Sequence, residues 1–263
     1  MKDLLIAILI ELKKLKRSII VWIIFIGFAL IPIMGGLMMY LIKNPDLIPA
    51  TSVLKIKVSM LSTPVDWNSY LGIFILQGAG IAGIIAFGFV ISYLFGREYV
   101  DKTYRDLLSL PVSRVTILNA KFIIYILWCL LLVIWDLGLG FIVGTILKLP
   151  GWNITSILEI IKTYFITSFL VISLGFIISF FALWSRGYLA PLGFLIAVLF
   201  MANLAPYLGF AHYFPWSIPM LYGGMAGEEL RKSLNVLSYI CIGITLLVGY
   251  LLTVGWWKYS DQS

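Results

Sequence analysis

Apolar and polar positions are not interleaved along this chain; they are segregated into long blocks. Crossing about 30 Å of hydrocarbon takes about 20 apolar residues in a helix, and six runs reach that length. They extend from about Ser18 to Leu41, Tyr70 to Phe95, Phe122 to Leu147, Tyr164 to Leu183, Tyr188 to Phe210 and Val236 to Trp257. The pattern predicts an all-α polytopic membrane protein with six transmembrane helices. Composition strengthens the reading: 62% of the 263 residues are hydrophobic and only 12% are charged, against about 45–50% apolar in a globular protein. No repeat, low-complexity tract or soluble linker divides the chain, so residues 1–263 read as one membrane domain.

The polar blocks between the runs set the orientation. Leu4 to Ile10 is a short apolar stretch behind Lys2, but Glu11, Lys13, Lys14, Lys16 and Arg17 follow where a signal peptide needs small residues. Residues 1–17 are therefore expected to form a helix lying in the membrane interface, with the basic cluster against lipid head groups. With the N-terminus inside, twelve lysines and arginines fall in cytoplasmic segments and seven outside. That predicts N-in and C-in, in a cell membrane. The formal charge of +7 thus belongs to the membrane surface and does not call for nucleic acid. The second run carries small residues at Ala79/Gly83 and Ala82/Ala86, a spacing that allows close approach of another helix, either within the chain or across a dimer.

One polar block stands apart. Between runs two and three lies "REYVDKTYRDLLSLPVSR", residues 97–114. At about 100° per residue, Arg97, Glu98, Asp101, Lys102, Arg105 and Asp106 share one side of a helix, opposite Tyr99, Val100, Thr103, Tyr104, Leu107 and Leu110. The spacing predicts one amphipathic helix over 97–110, ended by Pro111, with Ser113 and Arg114 at the start of the next helix. A helix bound only to lipid is usually Lys- and Arg-rich on its polar face. Here acids and bases are mixed, which favours a protein partner.

The run from Glu98 to Lys121 resembles the cytoplasmic loop of the ABC-2 type permeases. Glu98, Thr103, Leu107 with Leu108, Pro111 to Arg114 and Lys121 stand where that family has a glutamate, a threonine, a leucine pair, a Pro-x-Ser-Arg and a lysine. The family often has Gly before the threonine, where this chain has Lys102. "ELKKLKRS" (Glu11 to Ser18) and "HYFPWSIP" (His212 to Pro219) are similar to segments of its bacitracin and lantibiotic-export branch. The resemblance implies a permease subunit that pairs with itself or a sibling and docks a separate dimeric ATPase through a coupling helix. Arg97, Glu98, Asp101, Lys102, Thr103, Arg105 and Asp106 would make that contact. It further implies an amphipathic peptide cargo, a Gram-positive membrane, and ATP with Mg bound by the partner subunit, leaving this chain without a cofactor.

The residues themselves exclude several chemistries. No GxxxxGK[ST], HExxH or GxSxG occurs, the chain has 1 His, and its 2 Cys, Cys129 and Cys241, lie inside apolar runs. No metal site, catalytic residue or ATP-binding loop is therefore expected. Asp136, within the third run, costs about 2.5–3.5 kcal/mol on insertion scales. It is read either as a substrate-path or inter-subunit residue or as a group hydrogen-bonded or protonated inside the bundle. His212 and Trp216 belong to an aromatic, proline-rich segment, 206–233, where Pro206, Pro215 and Pro219 predict short broken or re-entrant helices at the outer face. A membrane anchor or sensor that docks a soluble partner through residues 97–110 is the alternative function.

Overall fold

The computed structural model describes residues 2–48, 63–103 and 112–259, and its regular elements are all helices. In chain order they are α1 (Lys2–Lys16), α2 (Ile19–Lys43), α3 (Trp67–Val100), α4 (Arg114–Ile146), α5 (Ile154–Trp184), α6 (Leu189–Leu204), α7 (Ile218–Tyr222), α8 (Glu228–Lys232) and α9 (Val236–Tyr259). Of these, α2, α3, α4, α5 and α9 are long and apolar enough to cross a membrane. The fifth apolar run gives less helix than its length suggests. At 16 residues α6 rises about 24 Å at about 1.5 Å per residue. The residues from Pro206 to Gly209 instead form turns, because a proline supplies no N–H to continue the helix.

Helix starts follow their side chains. The Ser18 hydroxyl accepts from Ile20 N–H to cap α2, the Asp66 carboxylate from Ser69 N–H to cap α3, Ser113 from Thr116 N–H to cap α4 and the Asn153 amide oxygen from Thr155 N–H to cap α5. In α1, Asp3 lies in the first turn and Lys13, Lys14 and Lys16 in the last, the arrangement that suits the helix dipole.

Helix ends share a different device. After α3, α4 and α5, the amides of Thr103, Leu149 and Gly187 donate back to the carbonyls of Glu98, Gly144 and Ala182, at 2.9, 3.3 and 3.1 Å. The residue before each, Lys102, Lys148 or Arg186, has φ of 56°, 49° or 51°. These are Schellman turns with a long basic residue in the left-handed position that usually holds glycine. The turn at Lys102 corrects the expected single helix over 97–110. Arg97 and Glu98 are the last turn of α3, and the chain breaks out of helical geometry at Lys102. Arg105, Asp106 and Pro111 lie outside the described residues.

The bundle is assembled around α5, which packs against α3 on one side and α9 on the other, while α4 carries α1 and α2. The small face of α3 is used within the chain: a Cβ at Gly83 would touch Val171 of α5. At Gly249 of α9 a Cβ would run into the backbone of Phe176 and Ile177, so these two helices meet main chain to main chain. Across the same contact the hydroxyls of Ser179 and Thr253 lie 2.8 Å apart.

Candidate functional site

Two of the charged residues that sequence periodicity placed on one face of a cytoplasmic helix, Arg97 and Glu98, are instead brought inside. At the end of the bundle that carries α1, five ionisable side chains from three helices converge: Glu11 and Lys14 of α1, Arg97 and Glu98 of α3, and Lys121 of α4. Glu11, Arg97, Glu98 and Lys121 are 1–5% exposed. The Arg97 guanidinium donates to Glu11 Oε2 at 2.6 Å, and Lys14 Nζ bridges Glu11 Oε1 at 3.1 Å and Glu98 Oε1 at 3.0 Å. Lys121 Nζ donates to the Leu94 carbonyl at 2.8 Å and lies 2.9 Å from Glu98 Oε1 and 3.7 Å from Glu11 Oε2.

Three cations surround two carboxylates, and the balance shows in the acid. Burial alone would raise the Glu11 pKa, but the charges of Lys121, Arg97 and Lys14 outweigh it and hold the carboxyl at about 2. Burial likewise works against the Lys14 charge, yet Glu98 and Glu11 raise its pKa. Replacing such a network with apolar groups is often neutral, whereas removing one member strands a buried charge at about 3–5 kcal/mol. Its contribution is therefore geometric: it fixes α1 across α3 and α4 in one register.

Helix length makes the arrangement possible. At 34 and 33 residues, α3 and α4 rise about 50 Å, well beyond about 30 Å of hydrocarbon, so their ends carry charge outside the lipid core. Beside the network, Tyr93 places its ring 5.6 Å from the Arg97 guanidinium and its hydroxyl 2.8 Å from Ser18 Oγ. A groove of about 740 Å³ opens there, with Lys14, Arg17, Tyr93, Arg97, Asp101 and Thr103 in its lining.

The other expected residues separate into distinct places. Asp101, Lys102 and Thr103 are exposed at the end of α3. Arg114 reaches the Trp257 carbonyl at 3.4 Å, joining the start of α4 to the last turn of α9. Asp136 is fully buried and accepts a 2.8 Å hydrogen bond from the Tyr164 hydroxyl of α5, while its Oδ1 has no partner among the described residues. Trp216 is buried against Phe194 and Phe214 as part of the core, and His212 lies half-buried in the turns before α7. Each of the three was an expected substrate-path or inter-subunit residue; Asp136 sits between α4 and α5, and the others lie in the segment between α6 and α9.

Sequence reasoning missed Glu11 and Lys14 as members of the site. Their signal was present: Glu11 is one acid set between an apolar run and the lysines that end α1, a placement that demands a partner. Its partner Arg97 lies 86 residues away, and no local spacing rule reaches that far.

Comparison with known proteins agrees with this architecture. Residues 7–203 match the model of the ABC-2 family transporter protein, a span that begins in α1 and ends in α6 and so contains the whole ion-pair network. The chain is also similar to the bacitracin transport permease protein BCRB of Bacillus licheniformis, at 26% identity over 198 residues, covering 74% of this chain and 90% of that protein. No solved structure matches. The chain belongs to the ABC-2 family of transporter proteins.

Proposed function

We propose that this chain is the permease subunit of an ATP-driven exporter, moved by a separate ATPase subunit that docks on the segment joining α3 to α4. The carrying observation is that both flanks of that segment are anchored. On one side Thr103 N–H folds back to the Glu98 carbonyl, and the Glu98 side chain is held by Lys14 and Lys121. On the other, Ser113 caps α4 and Arg114 reaches α9. A push on residues 104–111 is thereby delivered to α1, α3, α4 and α9 together and not absorbed at one hinge.

Twelve basic residues against seven support placing the α1 end in the cytoplasm, where ATP is available. The relative's printed role supports bacitracin, or a peptide of similar amphipathic character, as cargo. ATP and Mg are assigned to the ATPase dimer, and a second permease copy, identical or sibling, completes the membrane half. Arg97 and Glu98 act in this scheme as positioning residues behind the docking surface, with Asp101, Lys102 and Thr103 left to face the partner.

The test is purification with and without a co-expressed ATPase subunit, comparing hydrolysis for the native chain and Asp101→Lys, an exposed position outside the buried network. We expect the native chain to retain the ATPase and alter its rate, and Asp101→Lys to do so less. A native chain that neither retains an ATPase nor changes hydrolysis overturns the coupling. Retention with unaltered hydrolysis favours the anchor or sensor role. In cells, unchanged bacitracin sensitivity on deletion removes the cargo assignment and leaves the permease standing.

A further inference from the structure

Beside the face of α1 that carries the ion-pair network lies a second concavity, in the angle where the chain turns from α1 into α2. It encloses about 460 Å³, within the 300–1,000 Å³ range of small-molecule sites. Leu12 and Leu15 of α1 form one wall, Trp22 and Phe25 of α2 the other, and Leu127 and Leu131 of α4 contribute the floor. Lys16 is the one charged residue in its lining. Since α2 and α4 are membrane-crossing helices and α1 lies across their ends, the groove is apolar toward the bilayer and carries its cation at the end where head groups are found.

Among the described residues Lys16 is not committed elsewhere. Glu11 and Glu98, the buried acids of this end, are taken up by Lys14, Arg97 and Lys121, and no described residue forms an ion pair with Lys16. Lys13 and Arg17 flank it. Trp128, also in the lining and 4% exposed, has an indole N–H without a hydrogen-bond partner among the described residues. An occupant that suits this set needs an acyl chain for the groove, a negative charge for Lys16 and oxygen acceptors near the junction. We infer that the groove between α1, α2 and α4 is a binding site for one anionic phospholipid, its acyl chain against Trp22, Phe25 and Leu131 and its phosphate at Lys16. The inference rests on α1, α2 and α4 of this chain and stands or falls separately from ATPase coupling and cargo.

The site differs from diffuse attraction between a basic cluster and an acidic membrane, and that difference is what an experiment reads. The full chain, purified in detergent, is titrated with phosphatidylglycerol or with phosphatidylcholine of the same acyl composition, and retained lipid is counted by native mass spectrometry. One phosphatidylglycerol is expected to persist where phosphatidylcholine does not. Lys16→Gln should weaken it about fivefold, the factor for one basic contact at a membrane surface. Leu131→Trp, which fills the groove and leaves every charge in place, should abolish it. Lys13→Gln, flanking but outside the groove, serves as the control and should change little. Equal loss in Lys13→Gln and Lys16→Gln, undiminished retention in Leu131→Trp, or equal retention of the two lipids would each overturn the site.

Discussion

The two ends of the bundle are held by different forces. At the α1 end, Glu11, Lys14, Arg97, Glu98 and Lys121 form a buried network of full charges drawn from three helices. At the far end, between α6 and α9, the short helix α7 is held mainly by neutral contacts, and Arg231 of α8 lies over its Tyr222 ring at 5.6 Å. The Ser217 hydroxyl donates to the Ala211 and Phe214 carbonyls, and Phe194, Phe214 and Trp216 stack edge-on and tilted around it. The far end does have an ion pair, Glu228 with Arg231 at 3.2 Å, but Glu228 is 70% exposed, and such pairs add little. A charged lock resists displacement in a specific direction and fails abruptly when one member is lost; neutral packing yields gradually. That contrast fits the proposed coupling, in which the α1 end would transmit a push and the far end would only close the bundle.

The largest effect should come from breaking the lock. Glu11→Ala leaves Arg97 and Lys121 buried with one carboxylate fewer, and unfolding in detergent should show a loss of about 3–5 kcal/mol. Acid makes the same break reversibly. The folded Glu11 pKa of about 2 lies below its ordinary 4.5, so the unfolded chain binds the proton more tightly. The stabilisation is complete above about pH 4.5 and is lost as pH falls toward 2. Circular dichroism melts across that window should descend in the native chain and flatten in Glu11→Gln.

At the far end the matching deletion is Ser217→Ala, which strands two carbonyls that share one neutral donor. Its expected cost in the same melts is smaller, about 1–3 kcal/mol, and independent of pH between 2 and 4.5, where no carboxylate takes part. A pH-dependent loss there would erase the distinction between the two ends.

The smallest effect is a gain. Lys102 holds a left-handed φ of 56°, which costs a residue with a Cβ about 1–2 kcal/mol. Lys102→Gly should raise the melting point by roughly 1 kcal/mol of stability while leaving the network intact. The Schellman turn gives a physical reason for the glycine that the resembling permeases often carry at this place: that position must turn left-handed before the threonine.

These cases also mark how far the sequence could be read. The membrane-crossing runs were legible because each is long and locally apolar, and Ser113 as the cap of α4 was legible because capping is a contact over three residues. The end of α3 at Val100 was not, because the spacing from Arg97 onward suits a separate amphipathic helix. Arg97 and Glu98 continue α3, and their polar side chains face inward because Glu11, Lys14 and Lys121 meet them there. Tertiary pairing over 84 and 86 residues leaves no trace in local spacing. The shortened α6 has the opposite cause: hydrophobicity persisted through Phe210, but Pro206 ended the helix that hydrophobicity alone predicted.

The central claim is that α1 is locked to α3 by charge. A double-mutant cycle on Glu11→Gln and Arg97→Gln, with stability measured for both singles and the double, addresses it directly. The account predicts that the double variant loses less than the two singles combined, with a coupling above about 1 kcal/mol, in the range found for residues in one ion-pair network. Additivity within about 0.3–0.5 kcal/mol, the behaviour of independent sites, would contradict it.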